Sequence, residues 1–212
     1  MADLAPSPAD LATLEEVQAY VADGSDGGRG QLQRLLTAVS RAIARYLSRD
    51  IQKRTYAESR DGPGRATLYL RQAPVLEVAS VLVDGLAVPA RVTPRDGGWV
   101  LAVPGDPDGL AAVVRDGQVW PKGIQNIVIN YDAGYVTPGQ AALDASGATT
   151  VTLPEDLSHA CVQWVGHLAK EPKRLGEVSK ELGSGSTVTF SQERIPPKVK
   201  ALLDPWQKVL VP

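Results

Sequence analysis

The sequence is poor in the side chains that carry chemistry. One cysteine in 212 residues excludes an intrachain disulfide and a thiolate metal cage. Two histidines, His159 and His167, leave little for acid–base work. They lie on one helical stretch about 12 Å apart along its axis, too far to share an ion. Aromatic residues make up only 5%, with a single phenylalanine. Neither charge sign dominates: a net charge of −2 lacks the basic excess that nucleic-acid binders usually show. No apolar run reaches membrane-spanning length, so no membrane is expected as a partner. Met1-Ala-Asp-Leu-Ala-Pro-Ser7 is neither basic nor followed by an apolar core. It does not read as a secretory signal, and the chain is expected to be soluble and intracellular at synthesis. Gly-x-Ser-x-Gly, Walker, Gly-x-Gly-x-x-Gly and zinc spacings are all missing. The expectation is a protein that is not an enzyme and holds no cofactor or metal.

Proline and glycine, by contrast, are plentiful. The 16 prolines and 20 glycines cluster between apolar runs, as in a turn-rich β region. Residues 154–171 read as the central helix. Pro154 suits a first helical position, Glu155 and Asp156 complement the helix dipole, and Pro172 stops the run. Leu157, Ala160, Cys161, Trp164 and Leu168 form one apolar stripe, while Val162, Val165 and Ala169 form a second. Two stripes require two covers, the second expected from a β layer or a neighbouring subunit. Gly166 costs about 1 kcal/mol against alanine in a helix, which suggests that another backbone approaches it.

Before this helix, residues 1–12 read as a loose arm, and Thr13-Leu-Glu-Glu16 as a capping box opening a short helix. A longer helix spans about residues 30–48. It carries Leu32, Leu35, Leu36, Val39, Ile43, Tyr46 and Leu47 on one face and Arg34, Arg41, Arg45 and Arg49 off it. Those arginines are either a solvated face or partners for acids on another surface. From 51 to 135 the period changes to two. Six or seven short strands are expected, with Arg60-Asp-Gly-Pro-Gly64 as a hairpin connection and further turns at Asp84-Gly85 and Asp116-Gly117. Residues 140–152 read as a loop. After Pro172 a charged segment, a Gly183-Ser-Gly-Ser186 turn and a β-like Thr187-Val-Thr-Phe190 bury little by themselves. The chain closes on a helical face of Val199, Leu202, Leu203 and Trp206 that looks exposed.

Other chemical readings are weak. Cys161 lies on the apolar stripe and reads as a small hydrophobe. Glu155 and His159 make an i, i+4 surface pair, and Gly27-Gly-Arg-Gly30 reads as a hinge because no Lys-Ser/Thr follows. The Asp-Gly pairs at 61, 84, 96 and 116 lack calcium-loop spacing.

The parts nonetheless fall in a distinctive order. Leu14-Glu-Glu-Val17 leads into Leu36-Thr-Ala-Val-Ser-Arg-Ala-Ile-Ala-Arg-Tyr-Leu47, and Leu68-Tyr-Leu-Arg-Gln-Ala-Pro-Val75 precedes Val78-Ala-Ser-Val-Leu-Val-Asp-Gly85. Tyr131-Asp-Ala-Gly-Tyr135, Leu153-Pro-Glu-Asp-Leu157 and Ile195-Pro-Pro-Lys-Val-Lys-Ala-Leu-Leu203 follow. This order resembles the head–tail connector, or adaptor, proteins of tailed bacteriophages and related prophages. The resemblance implies a structural virion protein of the neck, present in the host cytoplasm during assembly. It implies a homo-oligomeric ring, commonly of twelve subunits, beneath the portal protein. Such a ring extends a channel through which DNA passes without sequence-specific binding, and offers a surface to a tail or neck protein.

The fold class expected is α+β: a helical bundle of N- and C-terminal helices with an inserted antiparallel β-sheet or small sandwich. Residues 1–50 and 151–212 would form the bundle and 51–150 the insertion. The partner-binding candidates are Lys173, Arg174, Val188, Phe190 and Ile195, with Val199, Leu202, Leu203 and Trp206. Residues 173–195 would wrap a neighbouring subunit, and 196–212 would dock on the portal or an adjoining ring. The alternative is a β-rich module on a helical base that recognises protein or carbohydrate, marked by exposed aromatics on one sheet face. A small hydrolase with a site assembled from distant residues ranks below both.

Overall fold

In the computed structural model of the chain, the residues described are 5–21, 28–93, 95–102, 111–170 and 195–207, together with the backbone course of 179–182 and 186–189. Among the described residues five α-helices and nine strands confirm the α+β class. The chain divides into two compact units, Met1–Arg49 with Val136–Pro212, and Asp50–Tyr135.

The helical unit contains α1 (Leu14–Val21), α2 (Arg29–Tyr46), α3 (Pro138–Leu143), α4 (Glu155–Lys170) and α5 (Pro197–Leu203). The α1 capping box forms as expected: Thr13 N–H donates to Glu16, and Glu16 N–H donates to the Thr13 hydroxyl, at 2.8 and 3.2 Å. Helix α2 buries Leu32, Leu36, Val39 and Ile43, the face its periodicity marked. Helix α4 buries Leu157, Ala160, Cys161 and Trp164 of one stripe and Val162 and Val165 of the other, with Leu168 and Ala169 half-buried, and α1, α2 and α5 all pack on it. The chain therefore supplies both covers itself, and the expected β layer or neighbouring subunit is not needed for them. Gly166 makes room for a ring rather than a backbone, since a Cβ there would lie 2.6 Å from Tyr20 of α1.

The described part of the N-terminal arm, residues 5–12, is not loose. Asp10, Leu11 and Ala12 are buried. Asp10 accepts from Ser7 N–H, Gln33 Nε2 and the Thr37 hydroxyl at 2.7–2.8 Å, and Leu11 N–H donates to Ser40. A short polar side chain thus ties the arm to α2. Residues 136–150 run with this unit, not with the strands. Thr137 caps α3 in a second capping box, and a Cβ on Gly139 would lie 2.0 Å from the Ser7 carbonyl.

In the second unit, β1 (Arg54–Gly62), β3 (Val75–Val83), β4 (Leu86–Val88) and β7 (Gly123–Ala133) form one sheet in the order β1-β7-β3-β4. A second sheet orders β2 (Thr67–Tyr69), β6 (Ala112–Asp116) and β5 (Gly98–Ala102) as β2-β6-β5, and all of these pairings are antiparallel. Leu68, Trp99, Val113 and Trp120 share one core with Val75, Val81, Ile127, Ile129 and Tyr131, so the two sheets make a small sandwich. Strand β3 buries Val75, Val78 and Val81 at a spacing of three because two bulges reset its alternation.

The Asp84-Gly85 turn joins β3 to β4 with both residues at positive φ, as a two-residue hairpin requires. The Asp61-Gly62 pair does not make a hairpin. Strand β1 pairs with β7 and β2 pairs with β6, so the expected β1–β2 hairpin is absent. Gly62 sits at a register shift where a Cβ would overlap the Pro121 carbonyl at 1.7 Å. Finally, among the described residues, β8 (Ser179–Leu182) and β9 (Ser186–Thr189) pair only with each other.

Candidate assembly surfaces

The C-terminal helix was expected to offer its apolar face outward. The structure places Val199 and Leu203 in the helical unit at 1% and 0% exposure, against α4. At the end of α2 the Tyr46 hydroxyl donates to Asp204, which ties down the 3₁₀ turn after α5. That bond to a carboxylate holds the Tyr46 phenol above its ordinary pKa. Deleting 196–212 would thus remove core, not a free tail. Ile195, Leu202 and Trp206 remain half-buried and retain some surface. Lys173, Arg174 and Phe190 lie outside the described residues, and Val188 lies on β9.

Cys161 is fully buried and within 3.5 Å of the Ser40 hydroxyl. Burial pushes its thiol up to about 12, so it is a packed hydrophobe and not a nucleophile. His159 bonds Gln163 at 2.6 Å rather than pairing with Glu155. Among the described residues no three His, Cys, Asp or Glu side chains could hold a metal ion. No helix among them is long and apolar enough to cross a membrane.

Among the described residues of the β unit one charge is buried. Glu58 of edge strand β1 is 7% exposed and accepts from the Tyr131 hydroxyl at 2.6 Å and Arg71 N–H at 3.2 Å. Arg60 and Arg71 lie 3.4 and 3.6 Å from its other oxygen. Burial first, and then Glu58, push the Tyr131 phenol well above its usual range. Tyr56 stacks on Tyr131 at 5.6 Å, and its own burial pushes it up to about 12. An inward charge on an edge strand discourages pairing with foreign strands.

The aromatic residues do not form a sugar-binding platform. Trp99, Trp120 and Tyr131 are core, and Tyr69 is the one aromatic of this unit that is classed as exposed. Among several exposed apolar side chains of this unit, two lie together at one end of the larger sheet. There Leu86, next to the β3–β4 turn, is 75% exposed and Ile124, at the start of β7, is 88% exposed. Asp84 N–H donates to the Asn126 carbonyl, which brings these two segments together. Sequence periodicity could not reveal this tip, because only cross-strand register aligns its residues.

Residues 10–209 match the family described as HCP, head completion protein. The chain belongs to the head completion protein family. Among solved structures it resembles a chain from the neck of an empty GTA particle computed with C6 symmetry. That match has 21% identity and a TM-score of 0.55, covering 99% of this chain and 96% of that one. A chain of the native gene transfer agent virion matches at 17% identity and TM-score 0.56, with the same coverage. A chain from the neck of the native GTA particle, computed with C12 symmetry, matches at 20% identity and TM-score 0.55 over the same shares. These likenesses show a shared fold across almost the whole chain, the β insertion included. No curated protein matches significantly. The resemblance read from the order of parts is thereby confirmed at the level of family. A head completion protein is a structural component of a virion.

Proposed function

We propose that this protein is a head–tail connector. Copies of it close into a ring beneath the portal, extend the DNA channel and present the surface on which the tail assembles. The observation that carries this reading is the family match over residues 10–209, joined by likeness to neck chains resolved with C6 and C12 symmetry. A ring of twelve is the stoichiometry this favours. The near-neutral net charge of −2 suits a wall past which DNA must slide without sticking.

Two local features support engagement between copies. Among the described residues the β8–β9 pair has no third strand, and a lone two-stranded hairpin is marginal in water. On this reading residues 173–195, with Lys173, Arg174, Val188 and Phe190, wrap a neighbouring subunit. The residual surface of Ile195, Leu202 and Trp206 then faces the portal or an adjoining ring, while Val199 and Leu203 anchor the helix that carries it. The exposed tip at Leu86 and Ile124 is the surface offered to a tail or neck partner.

Removing the protein from cells that produce particles tests this directly. Packaged heads without tails are the expected product, with tails restored when the full chain is supplied. Normal tailed particles in its absence would exclude the connector role.

A further inference from the structure

Two oppositely charged features of the helical unit complement each other. Helix α2 turns Arg34, Ala38, Arg41 and Arg45 outward, all exposed. Their spacing places them on one stripe about 16 Å long. Arg34, Arg41 and Arg45 form no ion pair with any described residue. Between α1 and α4 runs an open groove of about 660 Å³. Its lining includes Glu16, Ala19, Tyr20, Glu155, Asp156 and Val162. Tyr20, seated over Gly166, is still 47% exposed and gives the groove an apolar contact.

We infer that copies of this chain join head to tail, with the arginine stripe of α2 in one copy seated over the acidic α1–α4 groove of the next. The inference rests on the ring reading above and names its interface. The occupant is a second copy because the complement of each surface lies on the same unit. The buried side of α2 packs on α1 and α4, so its arginines face away from its own groove. Pairing is therefore satisfied between copies. Such a contact uses two different patches, and heterologous patches generate rings or filaments, whereas a twofold uses one patch twice. Three cations meet three anions beside the apolar side chains of Tyr20 and Val162. Exposed pairs of this kind weaken once the screening length falls below about 10 Å, near 0.1 M salt.

Charge exchange in the full chain tests the inference. R41E/R45E and E155K/D156K should each lower the yield of tailed particles roughly tenfold or more, because like charges then face each other. Supplied together, the two variants should restore assembly, since each then presents what the other lacks. Native yield from either variant alone overturns the interface. So does failure of the mixture when both variants melt close to the native temperature. If R41E/R45E assembles normally but its particles lose DNA, the arginines serve DNA and the inference falls. Should E155K/D156K melt early, a chain carrying Arg41→Cys and Asp156→Cys decides the matter, because the native Cys161 is buried. Oxidised necks should yield a covalent ladder of copies. A neck that contains the chain as a ring but gives no ladder refutes only this interface. A neck without the chain refutes the connector reading itself.

Discussion

Truncating Leu203 to alanine separates the C-terminal helix as core from the C-terminal helix as tether. Leu203 is 0% exposed, and Val199, one helical turn earlier, is 1% exposed. The substitution removes roughly three methylene equivalents of buried surface, about 2.4 kcal/mol, and leaves a cavity that adds to the loss. The total expected is about 3–4 kcal/mol. For a unit of this size that corresponds to a fall of about 10 °C or more in melting temperature. Scanning calorimetry of the full chain measures it, with Lys200→Ala on the exposed face of the same helix as control. The control should stay within about 0.5 kcal/mol of native. If Leu203→Ala melted with the native chain yet failed to enter particles, α5 would be a docking segment after all, and the helical unit would lack the support assigned to it.

Three further outcomes follow from the same packing. Trp164→Ala, at a buried position on α4, should cost about 3–5 kcal/mol in urea unfolding, and an unchanged midpoint would contradict its placement. Tyr131→Phe removes the donor at 2.6 Å from Glu58 and the acceptor of Gln72 N–H at 3.3 Å. It should destabilise the β unit by about 1.5–3 kcal/mol, read by the same titration. In alkali, Tyr56 ionises near pH 10 when unfolded but only at about 12 when folded. The unfolded chain therefore releases that proton first. The stability this group contributes is full below pH about 10 and is lost as the pH rises to about 12. Ultraviolet tyrosinate titration beside alkaline unfolding should show the two rising together, and Tyr56→Phe should lessen the loss.

Local chemistry made much of the fold legible. Apolar spacing located α2 and α4, Thr13 with Glu16 marked the start of α1, and Asp84-Gly85 marked a hairpin. What escaped depended on distant partners. Nothing near Arg54 announces that β1 pairs with β7, and Asp61-Gly62 carries a turn signal where a close approach to Pro121 is what needs glycine. Asp10 reads as one polar residue in a loose arm until Gln33 and Thr37 of α2 are brought to it. The second stripe of α4 seemed to ask for another subunit because α1 and α5, which help to cover it, are short and flanked by polar segments. The same limit applied to function. Spacing exposed the arginines of α2, but only the packing of α1 against α4 shows the acidic groove that matches them.

The connector reading meets its most direct test in an image of the assembled neck. Cryo-electron microscopy of purified particles, without imposed symmetry, should show this chain as one closed ring of twelve copies between the head vertex and the tail. Particles whose necks contain no copy, or a single copy bound off the axis, would contradict it.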